Sequence, residues 1–149
     1  SALAYSAGGT NGWQSTLVDN VTSAQALDYE YLISLKTPAT AASGDSATYV
    51  YVSPAVQSGS TWLYSDGGTI TLPASGDSAY VIKAPTNLKL MGILNYCTSA
   101  QTVQGVMNLK NAVGDSIPDG HSLILINVMG TNVQSGSTIG YRPIFSTIT

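Results

Sequence analysis

Between Leu27 and Lys36 the chain alternates with a period of two: Leu27, Tyr29, Tyr31, Ile33 and Leu35 on one side, Asp28, Glu30, Leu32, Ser34 and Lys36 on the other. Successive side chains of an extended strand point to opposite faces, so the pattern predicts a strand with one face in a core and one in water. Ala47 to Ser53 repeats it, with Tyr49 and Tyr51 against Thr48, Val50 and Val52, residue types that suit a pleated surface. Further strands are predicted near Ser15 to Val21, Ser60 to Tyr64, Thr69 to Leu72, Ala79 to Ala84, Leu88 to Tyr96, Thr102 to Asn108, Ser122 to Met129 and Thr138 to Phe145. Between them lie turn-forming clusters such as Ser65-Asp66-Gly67-Gly68, Asn111 to Gly120 and Gly130 to Gly136. Many short strands without a helical period predict an all-β chain, an antiparallel β-sandwich or jelly roll.

The surface of that sandwich is unusual. Asp, Glu, Lys and Arg make up 9% of the chain, against about 25% in ordinary soluble domains, and Ser, Thr, Gly, Ala, Asn and Gln fill the gap. Surface charge keeps free proteins apart, so a nearly neutral polar skin suits a subunit that packs against neighbours. The net charge is −3 and the five basic residues, Lys36, Lys83, Lys89, Lys110 and Arg142, are scattered. A nucleic-acid groove needs them in a stripe, so no nucleic-acid partner is expected. No stretch approaches the roughly 18 apolar residues of a membrane span, Leu123 to Ile126 being as long as the apolar runs become. Without a basic-then-apolar leader, the expectation is a soluble protein made in a cytoplasm.

With 149 residues the chain is read as one domain. Residues 1–12 are uncharged, mostly small and Gly-rich, with Tyr5 their one aromatic side chain, too little apolar area to order themselves. They form a frayed end or an arm that orders on a partner, and the neutral surface favours a flexible arm ahead of a sandwich over 13–149. The lone Cys97 has no second cysteine to bridge and no cationic neighbour to favour its thiolate, so it is read as a small buried apolar residue.

No catalytic set emerges. Gly-Asp-Ser occurs at Gly44, Gly76 and Gly114, inviting comparison with GDSL-type hydrolases, but three copies read as turns. The only histidine, His121, follows Asp119-Gly120 and reads as an exposed loop residue. One His and one Cys supply no zinc cluster, and nucleophile-elbow, Walker A and dinucleotide fingerprints are missing, so no cofactor or metal is expected. Asp28 and Glu30 share a strand face about 6.5–7 Å apart, yet Lys36 continues that face and a solvated edge explains them. The strings at Ala42–Ala47 and Ala74–Ala79, and at Val56–Thr61 and Val133–Thr138, recur without a fixed period and read as turn chemistry before strands. The Asn20-Val21-Thr22 sequon reads as a chance match outside a eukaryotic secretory route.

Aromatic residues near turns are the remaining candidates. Tyr5, Trp13, Trp62, Tyr64 and Tyr141 are placed where a partner or a sugar ring could stack, the competing reading being core and rim of the sandwich.

The order Ser15-Thr16-Leu17-Val18-Asp19-Asn20, then Asp28 to Leu35, then Thr48-Tyr49-Val50-Tyr51-Val52-Ser53, then Tyr64-Ser65-Asp66-Gly67 and a closing Tyr141-Arg142-Pro143-Ile144-Phe145 resembles small head-decoration, or cement, proteins of tailed bacteriophages. The resemblance spans most of the chain and rests on motifs that are not chemically specific. It implies a jelly-roll subunit on the outside of the capsid of a virion, a dimer or trimer of its own copies, clamping the major capsid protein and carrying no catalytic residues. The competing expectation is a carbohydrate- or receptor-binding sandwich of a fibre or lectin-like protein.

Overall fold

The computed structural model describes residues 11–22, 25–38, 47–65, 69–71, 78–81, 87–96 and 100–146. Among them the chain runs β1 (Asn11–Gln14), β2 (Val18–Asp19), β3 (Asp28–Lys36), β4 (Ala47–Ser58), β5 (Thr61–Tyr64), β6 (Thr69–Thr71), β7 (Ser78–Val81), β8 (Lys89–Asn95), β9 (Thr102–Asn108), α1 (Leu109–Val113), β10 (Gly120–Asn127) and β11 (Thr138–Ile144). All strand pairs are antiparallel. They form an 8-stranded sheet A, ordered β6-β5-β4-β10-β1-β7 with β2 on β10 and β8 on β4, and a 3-stranded sheet B, ordered β11-β3-β9. The fold is therefore the all-β, two-sheet arrangement that the period of two predicts.

The alternation of β3 decides which face of sheet B is inward. Tyr29, Tyr31, Ile33 and Leu35 are buried, and they pack with Val50, Val52, Leu94, Met107, Leu123 and Leu125 in one core between the sheets. Around β10 sheet A is buried on its second face as well. There Ala55, Trp62 and Tyr64 form one cluster, and Ile124 and Ile126 another. β10 sits centrally in this sheet with every residue buried, which is why it reads as an unbroken Leu123 to Ile126 run and not as an alternation.

β4 is longer than the Ala47 to Ser53 prediction because it runs through Pro54. The Ser65 N–H donates to the Pro54 carbonyl (3.0 Å), so proline's missing N–H faces that side too, where β8 has ended opposite Val52 and β5 begins opposite Ala55. Little is lost in that gap. Met91 is the extra residue of a bulge between β8 and β4 at Val50/Tyr51. β8 and β9, one from each sheet, close one side of the sandwich by reciprocal notches. A Cβ on Gly92 would stand 2.7 Å from Met107 Sδ, and one on Gly105 2.5 Å from Leu94 Cδ2.

Three sequence readings change. A single strand over Ser15 to Val21 is replaced by β1 and β2, joined by Ser15, Thr16 and Leu17. Asn11 and Gly12, assigned to the arm by composition, belong to β1, where Gly12 lets the strand approach β10 so closely that a Cβ would lie 2.5 Å from the Leu125 carbonyl oxygen. Residues 1–10, including Tyr5, lie outside the described residues, as does Cys97. The third change is the five-residue α1, too short to show a period; it ends at Gly114, φ 87°, the first residue of one Gly-Asp-Ser triplet. The Val56 and Val133 strings each carry a turn, with Gly59 and Gly136 at φ 63° and 85° before β5 and β11, although Val56 to Ser58 still belong to β4. The first members of the other recurring string lie outside the described residues.

Candidate binding groove

On the side opposite the β8/β9 closure the two sheets part. β1 and the segment to β2 form one wall, β11 forms the other, and the space between them is a cavity of about 290 Å³. Trp13, Ser15, Thr16 and Val18 line the sheet A wall, and Ser137, Thr138, Ile139 and Tyr141 the sheet B wall, over Tyr31, Leu35, Leu123 and Leu125. None of these twelve is charged.

Each wall is anchored by a serine hydroxyl. Ser15 N–H donates to the Leu123 carbonyl (2.9 Å), and Leu123 N–H donates to Ser15 Oγ (3.0 Å), fixing the chain after Trp13 onto β10. Across the groove, Lys36 N–H donates to Ser137 Oγ (3.0 Å), which donates to the Gln134 carbonyl (2.8 Å) and ties the turn before β11 to the end of β3. Trp13 is opposite Leu125 in register and so faces inward. Tyr141, opposite Tyr31, also faces inward, but β11 is the edge of sheet B and leaves it 54% exposed. Two of the five candidate aromatics are thus brought together.

The other described candidates are not. Trp62 is 0% exposed on the far face of sheet A, where Gly120 makes room for its ring: a Cβ there would stand 2.6 Å from Trp62 Cζ3. Tyr64 is buried beside it, its hydroxyl 2.8 Å from Ser122 Oγ. The adjoining turn makes both candidates for a partner contact, but the core reading holds for them: the Gly59-Ser60 hairpin is so tight that Trp62 already lies in the ladder, opposite Gln57.

His121 also corrects the sequence reading. It is the second residue of β10, opposite Pro54, and 0% exposed on the inner face. Its Nε2 is hydrogen-bonded to the Tyr31 hydroxyl, its ring meets Tyr29 edge-on at 5.0 Å, and Nδ1 is buried with no hydrogen-bond partner among the described residues. Burial pushes the imidazole down to about 4, so it is neutral at pH 7. Burial, with Tyr141 and Tyr29 adding to it, raises the Tyr31 phenol well above the usual tyrosine range. Tyr141 packs against Tyr31 and Tyr29 at 5.7 and 6.0 Å, so the groove wall rests on this aromatic cluster.

Asp28 and Glu30 have structural duties. Arg142 donates to Glu30 at 2.8 Å, and Asp28 accepts from the Lys110 N–H at 3.0 Å and from Asn108 Nδ2 at 3.3 Å. Asn20, the sequon residue, accepts from the Ala26 N–H (2.7 Å) and the Tyr29 hydroxyl (2.8 Å) and so pins the loop between β2 and β3. What the groove offers is two partly exposed aromatic rings, an apolar floor, hydroxyls and no charge. Such a surface takes an uncharged group with an apolar face.

Comparison of the chain with protein-family models, with curated proteins and with solved structures gave no match.

Proposed function

We propose that the chain is a structural virion subunit, a decoration or cement protein of jelly-roll type that sits on the outer surface of a phage capsid and ties neighbouring major capsid proteins together. The observation that carries this reading is the uncharged groove at an open sandwich edge, on a chain with 9% charged residues. Beside it, β11 has no strand on its outer side among the described residues. An extended capsid segment would pair with that edge by β-augmentation and seat an apolar side chain between Trp13 and Tyr141. Residues 1–10 would reach a neighbouring subunit as the arm. Area does the clamping, in line with the roughly 1,600 Å² of standard stable interfaces.

The test uses heads stripped of the protein and purified chain added back. Trp13→Ala and Tyr141→Ala should fold and bind with at least tenfold lower affinity, as expected when an aromatic anchor is lost. Full occupancy by both variants would refute the groove.

The same rings and hydroxyls favour a second reading, a carbohydrate-binding module. Sugar rings stack on aromatic faces, and glycan-array binding abolished by Trp13→Ala, with no binding to heads, would select it.

A further inference from the structure

The outward row of β3 reads Asp28, Glu30, Leu32, Ser34, Lys36. Leu32 is at its centre, acid at one end and a cation at the other. Register sets Val106 of β9 and Gly140 of β11 on either side of Leu32. Leu32 is 47% and Val106 62% exposed, and a Cβ at Gly140 would meet nothing within 4 Å. Next to this apolar level lie the Glu30–Arg142 pair with Asn108, and on its other side Ser34 with Gln104 and Thr138. Lys36 has no acidic partner among the described residues, where Arg142–Glu30 is the one ion pair.

A row with an apolar centre and opposite charges at its ends is complementary to its own reverse. We propose that the outer face of sheet B is a self-association surface, on which two copies of this chain pack face to face with β3 antiparallel to β3 about a twofold axis at Leu32. In an isologous contact residue i meets j and j meets i. Leu32 then lies over Leu32, Val106 over Val106, and Lys36 of each copy over Asp28 of the other. The Glu30–Arg142 pair faces the Ser34 and Thr138 hydroxyls. The parallel alternative stacks Asp28 on Asp28 and Glu30 on Glu30, and like charges select against it. Aligned sheets pack in this manner about 10 Å apart.

The area sets the strength. Three strands about 4.8 Å apart and seven residues at about 3.4 Å each give a face of about 340 Å², well under the roughly 800 Å² per partner of standard interfaces. The dimer is therefore weak in solution and fills at high local concentration, as on a particle. The inference is independent of what the groove binds.

Sedimentation equilibrium on the whole chain, up to about 1 mM to cover this weak size class, tests it. A monomer–dimer equilibrium should be seen, weakened at least tenfold by Val106→Asp and by Lys36→Glu, both at exposed positions whose variants keep the parent melting temperature. A strict monomer, or a dimer indifferent to both variants, overturns the proposal. Geometry is read by disulfide trapping in a Cys97→Ser background. Val106→Cys alone should cross-link in the antiparallel arrangement; cross-linking only when Val106→Cys is mixed with Gly140→Cys would establish the parallel one and overturn ours.

Discussion

Lowering the pH from 7 to 4 should destabilise the fold through His121. The imidazole is buried in the aromatic cluster of Tyr29 and Tyr31, and burial holds it at about 4 against 6.5 for a free histidine. Above pH 6.5 it is neutral in both the folded and the unfolded chain and the equilibrium is indifferent to pH. As the pH falls from 6.5 the unfolded chain takes up the proton first, so stability drops, and the loss saturates once the folded form also protonates near 4. Two and a half units at about 1.36 kcal/mol each amount to about 3 kcal/mol, a large fraction of the roughly 5–15 kcal/mol that a domain of this size possesses. Asp19 does not obscure this window. Desolvation opposes its ionisation, but hydrogen bonds from the Thr22 hydroxyl and from the Thr22 and Val21 N–H groups outweigh that and lower its carboxyl below 3.8. Its contribution is lost only further down. Urea unfolding followed by tryptophan fluorescence at half-unit pH steps measures the slope. His121→Gln should start from a different stability and lack the fall between pH 6.5 and 4. Equal unfolding free energies at pH 7 and 4.5 in the parent chain, or the same fall in His121→Gln, would refute the reasoning.

Two glycines in neighbouring registers of sheet B should respond oppositely to alanine. Gly105→Ala drives a Cβ into Leu94 on the inner face and should cost about 1–3 kcal/mol, whereas Gly140→Ala enters open space on the outer face and should be neutral or slightly stabilising; thermal melting separates them. Trp62→Ala should cost about 3–5 kcal/mol as a core truncation, while Trp13→Ala, which removes a half-buried ring packed on the core, should cost less than that and show its further effect in binding. Deleting residues 1–10, and not 1–12, should leave the melting temperature intact and reduce occupancy on heads; loss of folding would assign the segment to the domain.

Where one strand face is wet and the other dry, the sequence displayed the structure openly. β3 follows its alternation residue for residue from Asp28 to Lys36, Leu27 alone departing from it, outside the strand and 50% exposed, and β9 begins and ends at Thr102 and Asn108 as expected. The alternation vanishes in β10 because both of its faces are covered, and Pro118-Asp119-Gly120 ahead of His121 has the local chemistry of a turn although Gly120 is already paired with Ala55. Proximity to a turn misled at Trp62 as well: its burial depends on the missing Cβ of Gly120, far away in the chain. The groove was half legible. Trp13 and Tyr141 drew attention as single aromatics, but that β1 and β11 stand across the same opening follows from sheet order, which no local period encodes. Ser15 and Ser137, whose hydroxyls hold the two walls, look in sequence like any of the chain's many serines.

The most direct measurement for the account is the copy number and position of the chain in purified particles. Quantitative mass spectrometry against the major capsid protein, together with difference density from cryo-electron microscopy of decorated and stripped heads, should give a fixed ratio of this chain to capsid subunits and place it on the outer shell with the Trp13–Tyr141 groove against a capsid segment. A handful of copies confined to a fibre, or none in the particle, would contradict it.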